Sequence, residues 1–319
     1  MTGVSSWIPF HPPLAYQPPT GTLITAITAA SDGTVLMAVQ VRLPDGQVEL
    51  RCAAGTCANG VVTFDYEPAA FYRPGMETAW MDISMDDNER VVLVFVQLSE
   101  LWYVTGTLGA DRYVTWNDAM PYGSGDTVSV AISNSGAVLE AHRDPNDASH
   151  VLFHLGSWNG AVIDGFDHKA KPASGIQVGS LTSVSAALNA SGEVVVGFAG
   201  SAYDMPACWA IVGTMQGSEV HWHYLGSREY DEGEFAQVHI DEEGNVVATC
   251  VPVGGFTTPY IHYFTGTISS DAKSIDFNDV GIYTMEVEYL DTAMPPGGNF
   301  VVALYRTTDL YFLMYGELP

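Results

Sequence analysis

Arginines and tryptophans that recur at similar places along the chain are the residues best suited to bind a ligand. Arg42, Arg143 and Arg306 each follow an apolar, strand-like run, and a guanidinium offers a planar fork of donors to hydroxyl groups or a carboxylate. Trp102 and Trp209 each stand four residues before a glycine that closes a similar run, where an indole can stack on a sugar ring. The structural alternative is that the arginines are solvated and the tryptophans are packed between sheets.

Eight residues form the predicted ligand-binding set. Arg51 takes the place of the two tryptophans in the first repeat, and His142 and His154 lie in the third. The set is Arg42, Arg51, Trp102, His142, Arg143, His154, Trp209 and Arg306. No catalytic residue is nominated, because a glycosidase requires two carboxylates at a set separation and 37 acidic residues give no way to select them. Neither a G-x-S-x-G elbow nor a Walker A motif is present.

The metal-binding patterns are incomplete, and we predict no metal and no cofactor. His221 and His223 stand at i and i+2 and therefore share one face of a strand, but no third ligand at a characteristic spacing accompanies them. The acidic segments 86–89 and 241–245 lack the ligand spacing of a calcium loop, and solvated turns explain them better.

The cysteines are predicted to be free and buried. On one extended segment, Cys52 and Cys57 would lie about 17 Å apart, beyond disulfide reach. Cys208 and Cys250 have no neighbouring cysteine in the sequence. Buried free thiols fit a reducing compartment.

Composition excludes several classes of partner. Of 319 residues, 47% are apolar, enough for a large core, and the formal net charge is −26. Three lysines and eight arginines cannot supply the basic surface that nucleic acids or anionic membranes require. The sequence begins without a visible signal peptide and has no apolar run of membrane-spanning length. We expect a protein that is cytoplasmic or released without such a signal, with a secreted mature form as the alternative.

A repeat organises the chain. Six segments combine a turn with a β-branched run, and their aligned turn residues recur at a mean period of about 53 residues. The segments are SDGTVLMA at 31–38, DNERVVLV at 87–94, NSGAVLEA at 134–141, ASGEVVVG at 190–197, EEGNVVAT at 242–249 and PGGNFVVA at 296–303. A second glycine follows each turn in register; these are Gly55, Gly106, Gly156, Gly213, Gly266 and Gly316.

Each repeat reads as four short strands, which is typical of a β-propeller blade. The last repeat lacks a fourth strand, and residues 1–22 precede the first repeat. We therefore predict an all-β, six-bladed propeller of four-stranded blades in one domain, 1–319, with 1–22 completing the last blade and leaving no open edge. The predicted blades are about 23–76, 77–126, 127–181, 182–234, 235–288 and 289–319.

The third repeat resembles a family. Its sequence, TVSVAISNSGAVLEAHRDPNDASHVLFHLGSWNGAVI at 127–163, resembles bacterial propeller repeats with an SVAL-N-x-x-G-x-VVEVH pattern. The plan of the whole chain is similar to that of fungal six-bladed fucose-binding lectins. Those lectins bind sugar between blades through Arg, Glu and Trp, but neither Arg nor Trp recurs here at one position in all six repeats. Sialidases share the plan, yet SDGTVLMA lacks the tryptophan of their repeated box.

These observations lead to three hypotheses of function. The first is a non-catalytic lectin with several shallow sites for neutral sugars between the blades, where repetition gives avidity. The alternative is a hydrolase or lyase with one site at the mouth of the central channel, which a group of carboxyls with strongly shifted pKa would favour. The third is a protein-interaction scaffold, which a large apolar patch on one face would favour.

Overall fold

A computed structural model describes most of the chain. The described residues are 14–16, 22–59, 61–65, 67–73, 75–173, 179–202, 205–231, 233–252, 261–269, 274–283, 287, 289–306 and 311–317. Within these ranges the regular elements are β-strands, and no helix of a length and apolarity suited to crossing a membrane is found there.

The described strands form six antiparallel sheets, numbered in chain order. Sheet 1 contains β2 (Thr22–Ala29), β3 (Thr34–Arg42), β4 (Val48–Ala58), β5 (Val61–Phe64) and β6 (Ala69–Tyr72). Sheet 2 contains β7 (Trp80–Met85), β8 (Arg90–Gln97), β9 (Glu100–Leu108), β10 (Val114–Trp116) and β11 (Met120–Ser124). Sheet 3 contains β12 (Val128–Ile132), β13 (Ala137–Arg143), β14 (Val151–Asn159), β15 (Val162–Asp164) and β16 (Lys171–Pro172).

The remaining sheets have four strands each. Sheet 4 contains β17 (Leu181–Leu188), β18 (Glu193–Ala202), β19 (Met205–Gln216) and β20 (Glu219–Asp231). Sheet 5 contains β21 (Gly233–Ile240), β22 (Asn245–Pro252), β23 (Ile261–Ile268) and β24 (Ile275–Tyr283). Sheet 6 contains β25 (Tyr289–Ala293), β26 (Phe300–Arg306), β27 (Tyr311–Glu317) and β1 (Leu14–Tyr16), which pairs antiparallel with β27.

The first strand of each sheet lines a central channel. These strands are β2, β7, β12, β17, β21 and β25, and each contacts the first strand of the next sheet, with β25 contacting β2. Apolar side chains of neighbouring sheets pack together behind them, as Phe153 of sheet 3 does against Trp222 of sheet 4, edge to face at 5.4 Å. The structure is therefore all-β with a β-propeller arrangement, and that part of the prediction is confirmed.

The turn between the first and second strands has one backbone conformation in all six sheets. Its aligned residues have positive φ: Gly33, Gly136, Gly192, Gly244 and Gly298 at 62° to 89°, and Glu89 at 63°. The left-handed conformation is costly for residues other than glycine. The repeat detected in the sequence is thus the signature of this turn.

In four repeats the second glycine lies opposite an aromatic residue, whose ring leaves no room for a Cβ. Gly106 on β9 lies directly opposite Trp116 on β10, and a Cβ on Gly106 would stand 2.8 Å from Trp116 Cε3. Phe71 stacks on the same indole with ring centroids 4.3 Å apart. The same pairing of glycine and aromatic residue joins Gly55 to Phe64, Gly213 to Trp222 and Gly266 to Phe277.

All four cysteines are free and buried, as their spacing predicted. Cys52 and Cys57 both lie on β4, in an extended conformation that separates them. Burial raises the pKa of each of these two thiols to about 12, so they remain protonated at neutral pH.

We expect Gly106→Ala to lower the free energy of unfolding by about 1–3 kcal/mol, because the added methyl group would displace the Trp116 ring. Gly123→Ala in the same sheet is the matched control, since a Cβ there would meet its nearest neighbours at an ordinary 3.6 Å. Urea unfolding measures both variants. Equal losses of stability would contradict the proposed packing role of Gly106.

Candidate active site

One position of the inner strands is equivalent in all six sheets, and five of its six occupants line the cavities of the channel. It lies seven residues before the aligned turn residue, and we call it the channel position. Its occupants, from sheet 1 to sheet 6, are Ala26, Asp82, Ser129, Ser185, Gln237 and Asp291. Five of the six are polar, although the strands around them are rich in buried apolar residues.

Four side chains at the channel position bind the backbone of the next sheet. Each of these four accepts a hydrogen bond from the amide that follows the next sheet's own channel position. The bonds are Val130 N to Asp82 Oδ2 at 2.8 Å, Ala186 N to Ser129 Oγ at 3.0 Å, Val238 N to Ser185 Oγ at 3.0 Å and Ile27 N to Asp291 Oδ2 at 2.7 Å. These four bonds link sheets 2 to 3, 3 to 4, 4 to 5 and 6 to 1.

Other residues link the two remaining pairs of sheets. Met85 N donates to Thr28 Oγ1 at 3.0 Å between sheets 2 and 1. His239 Nε2 lies 2.7 Å from Thr292 Oγ1 between sheets 5 and 6. Every pair of neighbouring inner strands is therefore joined by at least one hydrogen bond that involves a side chain. Such bonds are needed because the inner edge of each sheet carries buried amide groups with no strand partner.

Asp82 has more hydrogen-bond donors than its structural link requires. Its Oδ2 also accepts the hydroxyl of Ser129 at 2.6 Å, and its Oδ1 accepts Ile83 N at 2.8 Å. Protein atoms surround the carboxyl group, although part of the residue faces the channel. This burial raises the pKa of Asp82 from 3.8 to about 6, against the opposite effect of the hydrogen bonds.

Asp291 is 4% exposed and lies on the other side of sheet 1 from Asp82. Burial raises the pKa of Asp291 well above its ordinary value, and the charge of Asp82 raises it further. The hydrogen bonds from Ile27 N and Thr292 N oppose this rise. Both carboxyls therefore keep their protons to a higher pH than a solvated aspartate does.

The channel widens toward the turns between the first and second strands. A cavity of about 70 Å³ there is lined by polar groups that include Asp82, Ser84, His239 and Glu242. Burial lowers the pKa of His239 to about 4, so the imidazole is neutral at pH 7. The space is large enough for several water molecules and for the reacting part of a larger molecule bound at the mouth.

The smaller space at the other end of the channel has about 10 Å³ and is lined by Asp82, Gln237 and Asp291 among others. Two carboxyls of raised pKa beside one shared space can divide the roles of acid and base between them.

The arginines of the predicted ligand set are mostly engaged with acidic residues. Arg42 pairs with Glu77 at an exposed site, and Arg51 Nη2 lies 2.8 Å from Glu49 Oε2. Arg143 pairs with Asp126 and donates to Leu181 O at 2.6 Å. Arg306 ends β26, and its side chain lies outside what the structure describes. These arginines are distributed over several sheets rather than gathered at one site.

The aromatic members of the set divide into two groups. Trp102 and Trp209 are half-buried and pack between sheets, where the ring of Trp102 is parallel to that of Phe95 at 6.3 Å. His142 and His154 come together on sheet 3, where their rings stack at 5.6 Å. His221 and His223 are also adjacent, edge to face at 5.5 Å. The role of the eight residues in ligand binding stays a prediction.

Sequence reasoning missed Asp82 and Asp291. Both belong to a column that can be read from the alignment of the six turns, seven residues upstream. The signal is a recurring polar residue in otherwise apolar strands. A recurrence of one residue type does not reveal this column, because a backbone N–H can donate to the carboxylate of Asp as well as to the hydroxyl of Ser.

No family model matches the chain, and no curated protein matches it in sequence. Solved structures do match it in fold. A mutant of the NanB sialidase from Streptococcus pneumoniae has 8% identity and a TM-score of 0.61 over 96% of this chain and 70% of that one. The Penicillium chrysogenum α-L-arabinanase with arabinobiose has 9% identity and a TM-score of 0.60 over 96% and 99% of the two chains.

A mutant of the Aleuria aurantia lectin in complex with Fucα1-6GlcNAc also matches, with 11% identity and a TM-score of 0.58 over 93% of each chain. The fold is thus that of carbohydrate-related propellers, while the bacterial repeat type stays a prediction. The expectation of a non-catalytic lectin was wrong: most of the similar structures named here are sialidases or an arabinanase, with a fucose-binding lectin among them.

We expect Asp82→Asn to gain stability relative to the wild type as the pH rises from about 4 to 6. The unfolded chain releases this proton near 3.8, whereas folded Asp82 keeps it to about 6, so the wild type binds more protons when folded and loses stability as the pH rises. The full difference is about 3 kcal/mol. Urea unfolding at each pH measures it.

His239 titrates in both proteins, so comparing them at the same pH removes its contribution from the difference in stability. Asp45→Asn, in an exposed turn, is the control. A difference between wild type and Asp82→Asn that does not change between pH 4 and 7 would contradict the raised pKa.

Proposed function

We propose that the protein is a hydrolase that cleaves a glycosidic bond at the central channel, using Asp82 and Asp291. The observation that carries this proposal is the presence of carboxyls where serines suffice. Ser129 and Ser185 make the same inter-sheet hydrogen bond from the same position without a charge. Burying a carboxyl there is costly, and the hydrogen bond alone does not require one.

The two carboxyls have the properties that glycoside hydrolysis needs. Asp291, held protonated by burial and by the charge of Asp82, would donate its proton to the leaving oxygen. Asp82, which ionises at about pH 6, would act on the opposite side, as a base toward water or as a nucleophile. The hydroxyl of Ser129, 2.6 Å from Asp82 Oδ2, would orient that carboxylate.

A neutral glycan is the substrate class we propose. The net charge of −26 and only 11 lysines and arginines make an anionic sugar a poor partner. The arginines at the described sheet ends are already paired with Glu77, Glu49 and Asp126. Support also comes from the arabinanase, whose structure holds arabinobiose. Both carboxyls line the smaller space of about 10 Å³, so the glycosidic bond would enter the channel from that end, and the space would have to widen when the sugar binds.

We also propose that the six sheets are six blades of one ring, which β1 closes. Support comes from the antiparallel pairing of Leu14 to Tyr16 with Tyr311 to Leu313. Further support comes from two bonds between sheet 6 and sheet 1, Ile27 N to Asp291 Oδ2 and Tyr289 Oη to Thr25 O, both 2.7 Å.

Activity should be sought on a panel of neutral aryl glycosides and on arabinan, with an α-sialoside included for comparison. Asp82→Asn and Asp291→Asn should each lower kcat about 10²- to 10⁴-fold, and Asp45→Asn should leave it unchanged. The wild-type rate should rise with pH through about 6 as Asp82 ionises and fall at higher pH as Asp291 loses its proton.

Asp82→Ser and Asp291→Ser are second variants, which carry the residue of sheets 3 and 4 and so preserve the fold. The proposal fails if the wild type cleaves none of the panel. It also fails if both carboxyl positions tolerate substitution with activity intact.

Deletion of residues 1–16 tests the ring closure. Loss of β1 would leave β27 as an open edge, so we expect a lower unfolding temperature and association of chains in size-exclusion chromatography. A synthetic peptide of residues 1–22, added in trans, should restore the monomer. An unchanged unfolding temperature would contradict closure by β1.

A further inference from the structure

Glu140, His142 and His154 form a buried cluster on one face of sheet 3. Glu140 and His142 are two residues apart on β13, and His154 on β14 lies directly opposite Glu140 in the strand register. All three side chains therefore project from the same face of the sheet. Their exposed fractions are 0%, 1% and 4%, so the cluster belongs to the interior.

The same register positions are apolar in the other sheets. Four residues after the aligned turn residue, where sheet 3 has Glu140, the other sheets have Met37, Leu93, Val196, Ala248 and Val302. Six residues after it, where sheet 3 has His142, the others have Val39, Phe95, Phe198, Cys250 and Leu304. Packing therefore does not require polar groups at these positions, and sheet 3 alone carries them.

The donor atoms are close enough to share one ion. One ligand atom from each residue lies within 4.8 Å of the other two. His142 Nδ1 is 3.0 and 3.1 Å from the two oxygens of Glu140. Donors held tetrahedrally at about 2.0–2.1 Å from a metal are about 3.3 Å apart, so small side-chain rotations complete the set.

Sheet 2 closes the cluster from the other side. The ring of Tyr122 on β11 meets that of His154 edge to face at 5.3 Å, and Phe166 lies 5.6 Å from the same imidazole. A Cβ on Gly125 would stand 3.0 Å from His142 Cδ2, so the backbone there approaches the ring closely.

We propose that Glu140, His142 and His154 bind one divalent transition-metal ion between sheets 2 and 3. Two imidazole nitrogens and a carboxylate form a ligand set that suits zinc. The ion offsets the negative charge of the buried Glu140 carboxylate. A single imidazole, that of His142, would offset this charge only at a high desolvation cost. The site is enclosed by aromatic rings, so its role is structural: it stabilises sheet 3 against the Tyr122 segment of sheet 2.

Zinc is the probe for this site. Chelator-treated protein should bind one equivalent of Zn²⁺ in isothermal titration calorimetry. Its unfolding temperature should rise by about 5 °C when free zinc is about 100 times its dissociation constant. Co²⁺ in place of zinc should give visible d–d absorption that the chelator-treated protein and the triple variant described below both lack. Glu140→Gln and His154→Gln should each weaken zinc binding roughly 100-fold or more.

The triple variant Glu140→Val, His142→Phe and His154→Ile separates metal binding from folding. It places the residues of sheet 4 in sheet 3, and apolar replacement of a buried ion pair is often neutral or stabilising. We expect it to fold, to have the same unfolding temperature with and without zinc, and to bind none. The variant His221→Asn with His223→Asn, at the other histidine pair, should keep the full equivalent.

Three results would overturn the proposal. One is wild-type protein that takes up no zinc. Another is a triple variant that still binds one equivalent of zinc. The third is a His221 and His223 variant that no longer binds it. Either of these last two results would place the ion elsewhere.

Discussion

The hydrogen-bonding needs of the inner strands govern the centre of this protein. Each sheet ends at the channel with a strand whose inward amide groups have no strand partner, and buried amides without acceptors destabilise a fold. The acceptors come from side chains of the preceding sheet, as Ser185 Oγ serves Val238 N at 3.0 Å. Each of these hydrogen bonds fixes the position of one inner strand along the channel axis relative to the next strand. The sheets behind the inner strands are therefore held in register around the channel.

This constraint explains why polar groups stand in an apolar core, and why some of them are carboxyls in the proposed active site. An acceptor is required at the channel position, but its identity is not, so chemistry can be introduced there without loss of the link. Asp82 holds Val130 N at 2.8 Å much as a serine would. The cost of burying the carboxylate appears as a tighter hold on its proton, since burial raises the pKa of Asp82 to about 6. A carboxyl of this kind is poised near the pH at which acid and base catalysis operate.

The periodic features of the fold could be predicted from the sequence. The turn residues Gly33 to Gly298 gave the period, since left-handed turns select glycine, and the glycines opposite Trp116 and Trp222 gave the third and fourth strands. The residues of the proposed active site could not be found in this way. Asp82 and Asp291 are two of 37 acidic residues, and only the closed arrangement brings sheets 2 and 6 to either side of sheet 1. Likewise, the opposition of Glu140 and His154 depends on the strand register.

The residues that differ between the six sheets help to distinguish the two functions considered for this propeller, a lectin and an enzyme. A lectin with equivalent sites between blades would repeat its ligand-binding residues in each repeat, and such repetition guided the search for recurring Arg and Trp. In this chain the repeated residues are those of turns and packing, such as Gly136 and Trp222. The unusual residues are not repeated around the sheets: carboxyls hold the channel position in sheets 2 and 6 only, and among the described residues the group of Glu140 with two histidines lies in the core of sheet 3 alone. A symmetric scaffold with asymmetric substitutions is what a single catalytic channel requires, because one substrate meets different groups on its different sides.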